Sequence, residues 1–301
     1  MQFRCFECSG PTTGKEEGTS NHFLVANQKL GIGQRVDLPC VSIDIMSTRL
    51  ETPNRRVGFI TGVGRQRGIG AGVARALASR GWDLALTYWA AYDRRMPWGR
   101  ASDETANLVG ELRKYGVRVT SMEADLETPS TASQLFQEAL EQLGPITALV
   151  LSHCESVASG LLDTSLESFD RHFAVNTRAS WQLIREFALQ IPLSGGKIIG
   201  LTSDHTVGNL PYGASKGALD RIVLAAAREL AHLGITANVV NPGPVDTGWM
   251  DEATRSELLR RQPGKSLGTP QSVADVIALL LSPAGAWING QLIRADGGFS
   301  A

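Results

Sequence analysis

Tyr212 and Lys216 form a Tyr-x-x-x-Lys pattern at the start of a predicted helix. Spacing i, i+4 puts both side chains on one helix face, about 6 Å apart at Cβ. A lone tyrosine, with a pKa of about 10, is a poor acid–base group at neutral pH. A nearby ammonium favours the phenolate and lowers that pKa. The pair predicts an acid–base group that works near neutral pH, and a hydroxyl of Thr202-Ser203, at the end of the preceding strand, could polarise a carbonyl.

A glycine-rich corner, Thr61–Gly70, follows the first predicted strand and opens the first helix. Gly62 permits a tight turn, while Gly68 and Gly70, on either side of Ile69, allow a phosphate to approach the backbone. The helix N-terminus offers free N–H groups and a positive dipole end to a pyrophosphate. The segment therefore predicts a dinucleotide site, and the alternative is a glycine turn without a ligand.

The end of the second strand bears on which dinucleotide is bound. Enzymes that use NAD usually place a carboxylate there, but the segment Leu86–Ala90 has none. Arg65 and Arg67 lie in the glycine loop and Arg94-Arg95 follow the strand; guanidinium groups suit a 2′-phosphate. These residues favour NADP, whereas Asp93 keeps NAD possible.

Short apolar runs alternate with amphipathic segments from Arg56 onward. This order predicts an α/β fold with a doubly wound parallel sheet, a three-layer α/β/α Rossmann fold whose ligands lie at the carboxyl ends of the strands. The predicted strands are Val57–Thr61, Leu84–Tyr88, Val117–Met122, Ile146–Leu151, Lys197–Thr202, Ile235–Val240 and Gln291–Arg294. The predicted helices are Gly68–Arg80, Asp103–Tyr115, Thr128–Leu143, Tyr212–His232, Asp251–Arg261 and Pro270–Leu281, the last capped by Thr269. A capping box at Thr164 predicts a long helix or a helix pair through about Gln190.

Residues 1–54 differ from the rest, because their short apolar pieces follow no sustained period. We predict a poorly ordered N-terminal extension before a single domain over residues 55–301. The alternative is that Met46 is the natural start. Cys5 and Cys8 form one Cys-x-x-Cys, but no second pair follows at zinc-site spacing, so no metal site is predicted.

The composition argues against several classes of protein. With 29 Lys+Arg against 30 Asp+Glu among 301 residues, no nucleic-acid partner is expected. No apolar run approaches the roughly 18–20 residues that cross a bilayer, and Met1–Gly10 lacks the apolar core of a signal peptide. Four cysteines make no disulfide framework in a chain this long. We expect a cytoplasmic protein without a membrane partner.

Two further patterns could carry other chemistry. Gly213–Gly217 fits the Gly-x-Ser-x-Gly of hydrolases, but no strand precedes it directly and no triad histidine is evident. His153, Cys154 and Glu155 follow the fourth strand, where they could be catalytic or bind a metal. Because one His and one Cys have no further ligands, a pocket-lining role is favoured.

Taken together, the motifs over about residues 55–300 resemble the short-chain dehydrogenase/reductase family, most closely its 3-oxoacyl-[acyl-carrier-protein] reductase-like branch. The resemblance rests on the glycine corner, Asp125-Leu126, Asn176, Ser203, Tyr212/Lys216, the segment Asn241–Thr247 and the tail Arg294–Gly298.

The resemblance implies a role for each matched residue. Tyr212 is the general acid–base, Lys216 lowers its pKa and holds the nicotinamide ribose, Ser203 hydrogen-bonds the substrate oxygen, and Asn176 positions a water in a proton relay. Asp125 and Leu126 contact the adenine, and Pro242–Thr247 holds the carboxamide. The full set implied for the cofactor is Gly62, Arg65, Arg67, Gly68, Ile69, Gly70, Tyr88, Trp89, Asp125, Leu126, Ser152, Tyr212, Lys216, Pro242, Gly243, Val245 and Thr247.

The chain departs from the family pattern at three places. The loop between Gly62 and Gly68 is longer than usual, and the fourth strand ends Ser152-His-Cys154 where the family usually has Asn-Asn-Ala-Gly. Ser203 and Tyr212 are only nine residues apart, which leaves Thr202 as an alternative to Ser203.

The expected function is hydride transfer between NADP(H) and a small carbonyl or secondary-alcohol substrate, in a homo-oligomer that is a tetramer or a dimer. One alternative is a catalytically degenerate dinucleotide-binding sensor or partner module. A more remote alternative is an epimerase or dehydratase that keeps its cofactor.

Overall fold

The computed structural model describes residues 55–99, 101 and 103–301. Within them, seven strands form one parallel sheet in the order β3-β2-β1-β4-β5-β6-β7. The strands are β1 Val57–Ile60, β2 Asp83–Tyr88, β3 Val119–Glu123, β4 Ala148–Leu151, β5 Gly196–Leu201, β6 Ile235–Asn241 and β7 Leu292–Arg294. The predicted extension over residues 1–54, with Cys5 and Cys8, lies outside the described residues.

Helices connect the strands and cover the sheet. They are α1 Ile69–Ala78, α2 Ala90–Arg95, α3 Glu104–Arg113, α4 Thr131–Leu143, α5 Leu166–His172, α6 Ala179–Leu189, α7 Leu210–Glu229, α8 Glu252–Arg261 and α9 Pro270–Leu281. A π-helical turn, Phe173–Arg178, joins α5 to α6, and 3₁₀ turns follow α7 and α9 at Ala231–Leu233 and Pro283–Gly285.

The sheet is buried on both faces, as expected of parallel strands. Successive strand residues point to opposite faces, so Phe59 and Ile60 belong to two different hydrophobic clusters. Phe59 stacks on Phe136 of α4 with ring centroids 4.9 Å apart, while Ile60 packs in the cluster that includes Leu77 of α1 and Ile277 of α9. The doubly wound three-layer α/β/α fold is therefore confirmed.

The strand order reverses direction between β1 and β4, which both leave the sheet at the same edge. In a doubly wound fold the loops at such a switch point diverge and leave a crevice for a ligand. The loop Thr61–Gly68 follows β1 and the segment Ser152–Glu155 follows β4, so both chemical segments singled out in the sequence border this crevice.

Two predicted helix starts are wrong in detail. Ser165, rather than Thr164, caps α5, since the Ser165 hydroxyl accepts from the Ser168 N–H while the Thr164 hydroxyl donates to the Gly160 carbonyl. Pro129 precedes α4 instead of forming its first turn, because the helix begins at Thr131. Thr269 caps α9 as predicted, in a reciprocal capping box with Ser272.

No helix in the described ranges is both long and apolar enough to cross a membrane. In the same part of the chain, no three His, Cys, Asp or Glu side chains cluster as metal ligands.

Candidate active site

Helix α7 carries the tyrosine and the lysine at its N-terminal end, with Pro211 in its first turn. Lys216 is buried, and its Nζ lies 5.9 Å from the centroid of the Tyr212 ring. Nζ donates to the carbonyl oxygens of Leu201 (2.9 Å) and His153 (3.4 Å). The ammonium therefore joins the end of β5 to the segment after β4. Burial lowers the pKa of Lys216, while Cys154 and Asp220 raise it.

The pKa of Tyr212 moves in the direction opposite to the sequence prediction. Burial raises this pKa well above its ordinary value, the neighbouring Cys154 raises it further, and a hydrogen bond with the Ser203 side chain lowers it. The Lys216 ammonium lies over the ring and donates to two backbone carbonyls. The effect of burial on the pKa of Tyr212 is therefore larger than the lowering by Lys216 that the spacing suggested. Tyr212 is consequently a neutral phenol at physiological pH, which is the form that donates a proton.

Ser203 and Thr202 face different surroundings. Ser203 is half-buried, its side chain acts on the Tyr212 phenol by lowering that pKa, and its Oγ accepts from the backbone N–H of His205 at 3.2 Å. Thr202 is buried, and its hydroxyl lies 3.5 Å from the Lys216 carbonyl. Ser203 is thus the hydroxyl at the phenol, even though the loop to Tyr212 is short.

Asn176 lies in the π-helical turn and is fully buried. Its Oδ1 accepts from the Glu155 N–H at 2.7 Å, and its Nδ2 donates to the Glu155 carbonyl at 2.9 Å and to Ser215 Oγ at 2.8 Å. The Ser215 hydroxyl in turn donates to the Tyr212 carbonyl. Asn176 therefore connects the segment after β4 with the turn that carries Tyr212.

Ser215 is the central residue of the Gly-x-Ser-x-Gly pattern, and sequence analysis gave it no part in the site. It is completely buried and engaged by Asn176 and the Tyr212 carbonyl. A hydrolase nucleophile has to be exposed on a strained turn, so this serine supports the helix instead. The sequence signal for this supporting role was the position of Ser215, three residues after Tyr212.

The glycine corner has the shape of a phosphate cradle. Gly62 has φ +72°, and a Cβ there would lie 2.7 Å from the backbone of His153. A Cβ at Gly70 would lie 2.9 Å from the Gly62 carbonyl oxygen. Helix α1 begins after Gly68 without a side-chain cap, so its first N–H groups face the crevice uncapped. These residues fit a dinucleotide pyrophosphate, and the missing Asn-Asn-Ala-Gly does not prevent the close approach of the two segments.

The arginines of the glycine loop are engaged within the protein. Arg65 donates to the Thr247 carbonyl at 3.2 Å, stacks 4.4 Å from the Trp98 ring centroid, and lies 3.7 Å from Asp93 Oδ1. Arg67 is largely exposed, 3.6 Å from Asp246. Arg65 thus joins the glycine corner to the segment expected to hold the carboxamide. The Asp93 carboxylate, which kept NAD possible, is buried against Arg65 and the Trp98 indole N–H.

The remaining predicted cofactor residues are spread along the same edge of the sheet. Tyr88 ends β2 and the partly exposed Trp89 precedes α2, whereas Leu126 is buried in the core and its side chain does not line a surface. Asp125 accepts from the Glu127 N–H, and Ser152 donates its N–H to Thr61. In the segment after β6, Pro242, Val245 and Thr247 are buried and Gly243 has φ +59°.

Comparison with known proteins places this geometry in a family. The family model described as enoyl-(acyl carrier protein) reductase matches residues 62–300. The chain is 34% identical over 251 residues to the uncharacterized oxidoreductase YjdA of Bacillus subtilis (strain 168), covering 81% of this chain and 96% of that protein. It is 33% identical to the NADPH-dependent aldehyde reductase 2, chloroplastic, of Arabidopsis thaliana, covering 81% of this chain and 93% of that one.

Solved structures agree with the sequence matches. A blue fluorescent protein from a metagenomic library, in complex with NADPH, superposes with a TM-score of 0.74 at 33% identity, covering 82% of this chain and 98% of that one. A short-chain dehydrogenase from Burkholderia cenocepacia J2315 with NADP gives 0.74 at 29% identity, covering 84% and 100%. With a family model matched over most of its length, relatives above 30% identity and a fold of this kind, the chain belongs to the short-chain dehydrogenase/reductase family of oxidoreductases.

Proposed function

We propose that the protein is an NADP(H)-dependent carbonyl reductase, which transfers hydride between the nicotinamide ring and a carbonyl or secondary-alcohol substrate, with Tyr212 as the acid–base. The observation that carries the proposal is the buried Lys216 one helical turn from Tyr212, with Nζ 5.9 Å from the centroid of the phenol ring and Ser203 just beyond the end of the neighbouring strand β5. The NADPH and NADP complexes of two similar structures, and the name of the Arabidopsis relative, support the choice of cofactor.

In the proposed mechanism the bound NADPH supplies the hydride. Tyr212 gives its phenolic proton to the carbonyl oxygen, and Ser203 donates a hydrogen bond to the same oxygen as negative charge develops there. Lys216 holds the nicotinamide ribose, and Asn176 holds the backbone around Glu155 in place. The glycine corner binds the pyrophosphate, and the segment Pro242–Thr247 binds the carboxamide.

For the 2′-phosphate we propose Arg94, which follows the Tyr88–Trp89 end of β2 and is exposed. Its guanidinium makes no ion pair with the described residues, in contrast to Arg65 and Arg95, which face Asp93 and Glu155. A planar donor that is not committed to a carboxylate of the described residues is available to a phosphate.

The test is a panel of aldehydes, ketones and secondary alcohols with NADPH, NADH and their oxidised forms, followed at 340 nm. Tyr212→Phe should lower kcat by about a thousandfold, because general acid catalysis contributes 10²–10⁴-fold, and should leave NADPH affinity within about twofold. Tyr115→Phe, at an exposed tyrosine after α3, is the matched control and should leave kcat unchanged.

If the unmodified protein binds NADPH but reduces no member of the panel, the degenerate binding module replaces this proposal. If Tyr212→Phe keeps full kcat, another group donates the proton and the assignment of Tyr212 is wrong.

We further propose that the protein is a cytoplasmic homo-oligomer, a tetramer or a dimer. Large apolar side chains are exposed on α5–α6, where Leu166 is 75% and Trp181 50% exposed, and near β7, where Trp287 is 98% exposed. A second copy of the chain would remove these apolar side chains from water, which favours association. Light scattering should give a multiple of 32.3 kDa, reduced by Trp181→Lys or Trp287→Lys. Cell fractionation tests the location.

A further inference from the structure

His153 is a buried histidine between three segments of the site. Its Nδ1 lies 2.7 Å from the Thr61 hydroxyl at the end of β1, and its Nε2 lies 3.0 Å from the Val175 carbonyl oxygen in the π-helical turn. The residue is only 6% exposed. The imidazole ring, which follows β4, therefore contacts both Thr61 at the end of β1 and Val175 in the turn before Asn176.

The hydrogen bonds fix which nitrogen carries the proton. The Thr61 hydroxyl accepts from the backbone N–H groups of Ser152 (3.0 Å) and His153 (3.3 Å), and its own proton faces Nδ1 at 2.7 Å, which is nearer than its other acceptor, the Val150 carbonyl at 3.3 Å. A carbonyl can only accept, so Nε2 donates to Val175. Burial and the facing Lys216 ammonium lower the pKa of His153 to about 3, and the ring is neutral.

The backbone around the ring holds the proposed catalytic groups. The carbonyl of His153 accepts from Lys216 Nζ, and both backbone polar groups of Glu155, two residues on, bond to the Asn176 side chain. Ser180 Oγ, 3.3 Å from Nε2, donates to the Asn176 carbonyl at 2.8 Å. A shift of the ring would move the acceptor of Lys216 and the turn of Asn176 together.

We propose that His153 is a positioning residue: its ring, accepting from Thr61 and donating to Val175, couples the dinucleotide corner to the turn that carries Asn176. It thereby fixes Lys216 beside Tyr212, the residue that gives the proton. This inference rests on the proposed function. Histidine suits the place because its two ring nitrogens supply one acceptor and one donor at opposite edges. The residue takes no part in the chemistry itself, since it touches no reacting atom.

The test compares two substitutions at this position. His153→Leu keeps an apolar side chain but removes both hydrogen bonds, whereas His153→Gln keeps a donor near the place of Nε2. The Thr61 hydroxyl retains the Val150 carbonyl, 3.3 Å away, as an acceptor in either variant. His232→Leu, at an exposed histidine after α7, is the matched control. Each protein is assayed for kcat, for NADPH dissociation by fluorescence, and for the solvent deuterium isotope effect on kcat.

We expect His153→Leu to lower kcat by about tenfold to a hundredfold, since a displacement near 1 Å costs up to a hundredfold. The dissociation constant of NADPH should change by less than about threefold, and the solvent isotope effect should rise because proton transfer becomes rate-limiting. His153→Gln should recover kcat to within about threefold of the unmodified protein, and His232→Leu should match it.

A purely structural role would reduce the amount of active protein and leave the isotope effect unchanged. That result overturns the inference, as do equal losses of kcat in the Leu and Gln variants or full activity in both. Should His153→Leu not fold, the Gln variant still decides, because a tenfold loss there contradicts the role of the Val175 contact. These outcomes can be distinguished from a failure of the proposed function, because in that case the unmodified protein itself shows no turnover.

Discussion

Gly62 is the position where a single methyl group tests the architecture of the crevice most directly. In the Gly62→Ala variant the new Cβ lies 2.7 Å from the backbone N and Cα of His153 and from the Ser152 carbonyl oxygen. Backbone atoms cannot turn aside as a side-chain end can, so β1 and the segment after β4 must separate by several tenths of an ångström.

The expected destabilisation has two parts. Alanine at a φ of +72° costs roughly 1–2 kcal/mol, and overpacking against a rigid neighbour costs roughly 1–3 kcal/mol. The free energy of unfolding should therefore fall by about 2–5 kcal/mol. NADPH affinity should fall at least about tenfold, because the cradle is opened by the same displacement.

Substitutions at two other glycines allow the backbone strain and the overpacking to be measured separately. Gly81 has φ +76° with nothing within 4 Å of its Cβ position, so Gly81→Ala reports the backbone strain alone. Gly110 lies within α3 with equally open surroundings, so Gly110→Ala should stabilise by about 0.5–1 kcal/mol. Urea unfolding and an NADPH titration are measured for all three. If Gly62→Ala is no more destabilising than Gly81→Ala, or if it binds NADPH normally, the close approach of β1 to the segment after β4 does not require a glycine at this position.

Three further predictions concern charge and pH. Because the pKa of His153 is lowered to about 3 in the fold, only the unfolded chain takes up its proton below about pH 6.5. The protonation of His153 in the unfolded chain should thus lower the free energy of unfolding by about 2 kcal/mol between pH 6.5 and pH 5. In urea titrations, His153→Gln should remove this contribution to the pH dependence of the free energy of unfolding. Because burial raises the pKa of Tyr212, kcat for carbonyl reduction should stay level up to about pH 9, while alcohol oxidation should rise with pH; an alkaline loss of reduction centred near pH 7 would contradict this. Arg94→Ala should lower the preference for NADPH over NADH by at least about tenfold in kcat/KM, and an unchanged ratio would show that another group reads the 2′-phosphate.

The fold was predictable from sequence because its signals are local. Short apolar runs located the seven strands to within a few residues. The glycine-rich segment Thr61–Gly70, directly after the first run, identified the cradle without any distant contact. Helix α7 was predicted from its apolar spacing, and Tyr212 and Lys216 shared a face because the helical period requires it.

The parts that sequence did not predict depend on contacts between distant segments. Arg65 was predicted as a phosphate ligand, but its partner Thr247 is 182 residues away. The pKa of Tyr212 was predicted to fall because spacing alone shows the ammonium and not the burial of the phenol. The π-helical turn around Asn176 and the buried place of Ser215 likewise depend on packing between α6, α7 and the end of β4, which no local window contains.

The contact of Arg65 with Thr247 also bears on how the protein is made. A parallel sheet that brings early and late segments of the chain together folds slowly, because long loops must close first. During synthesis the glycine corner emerges long before the residue that completes its far wall, and Ile60 of β1 lacks its α9 neighbour Ile277 in the meantime. A nascent chain halted ahead of Pro242 already contains the tyrosine–lysine helix but lacks the other end of the crevice. We therefore expect such truncated chains to be inert and dependent on chaperones, with cofactor binding appearing only near release from the ribosome.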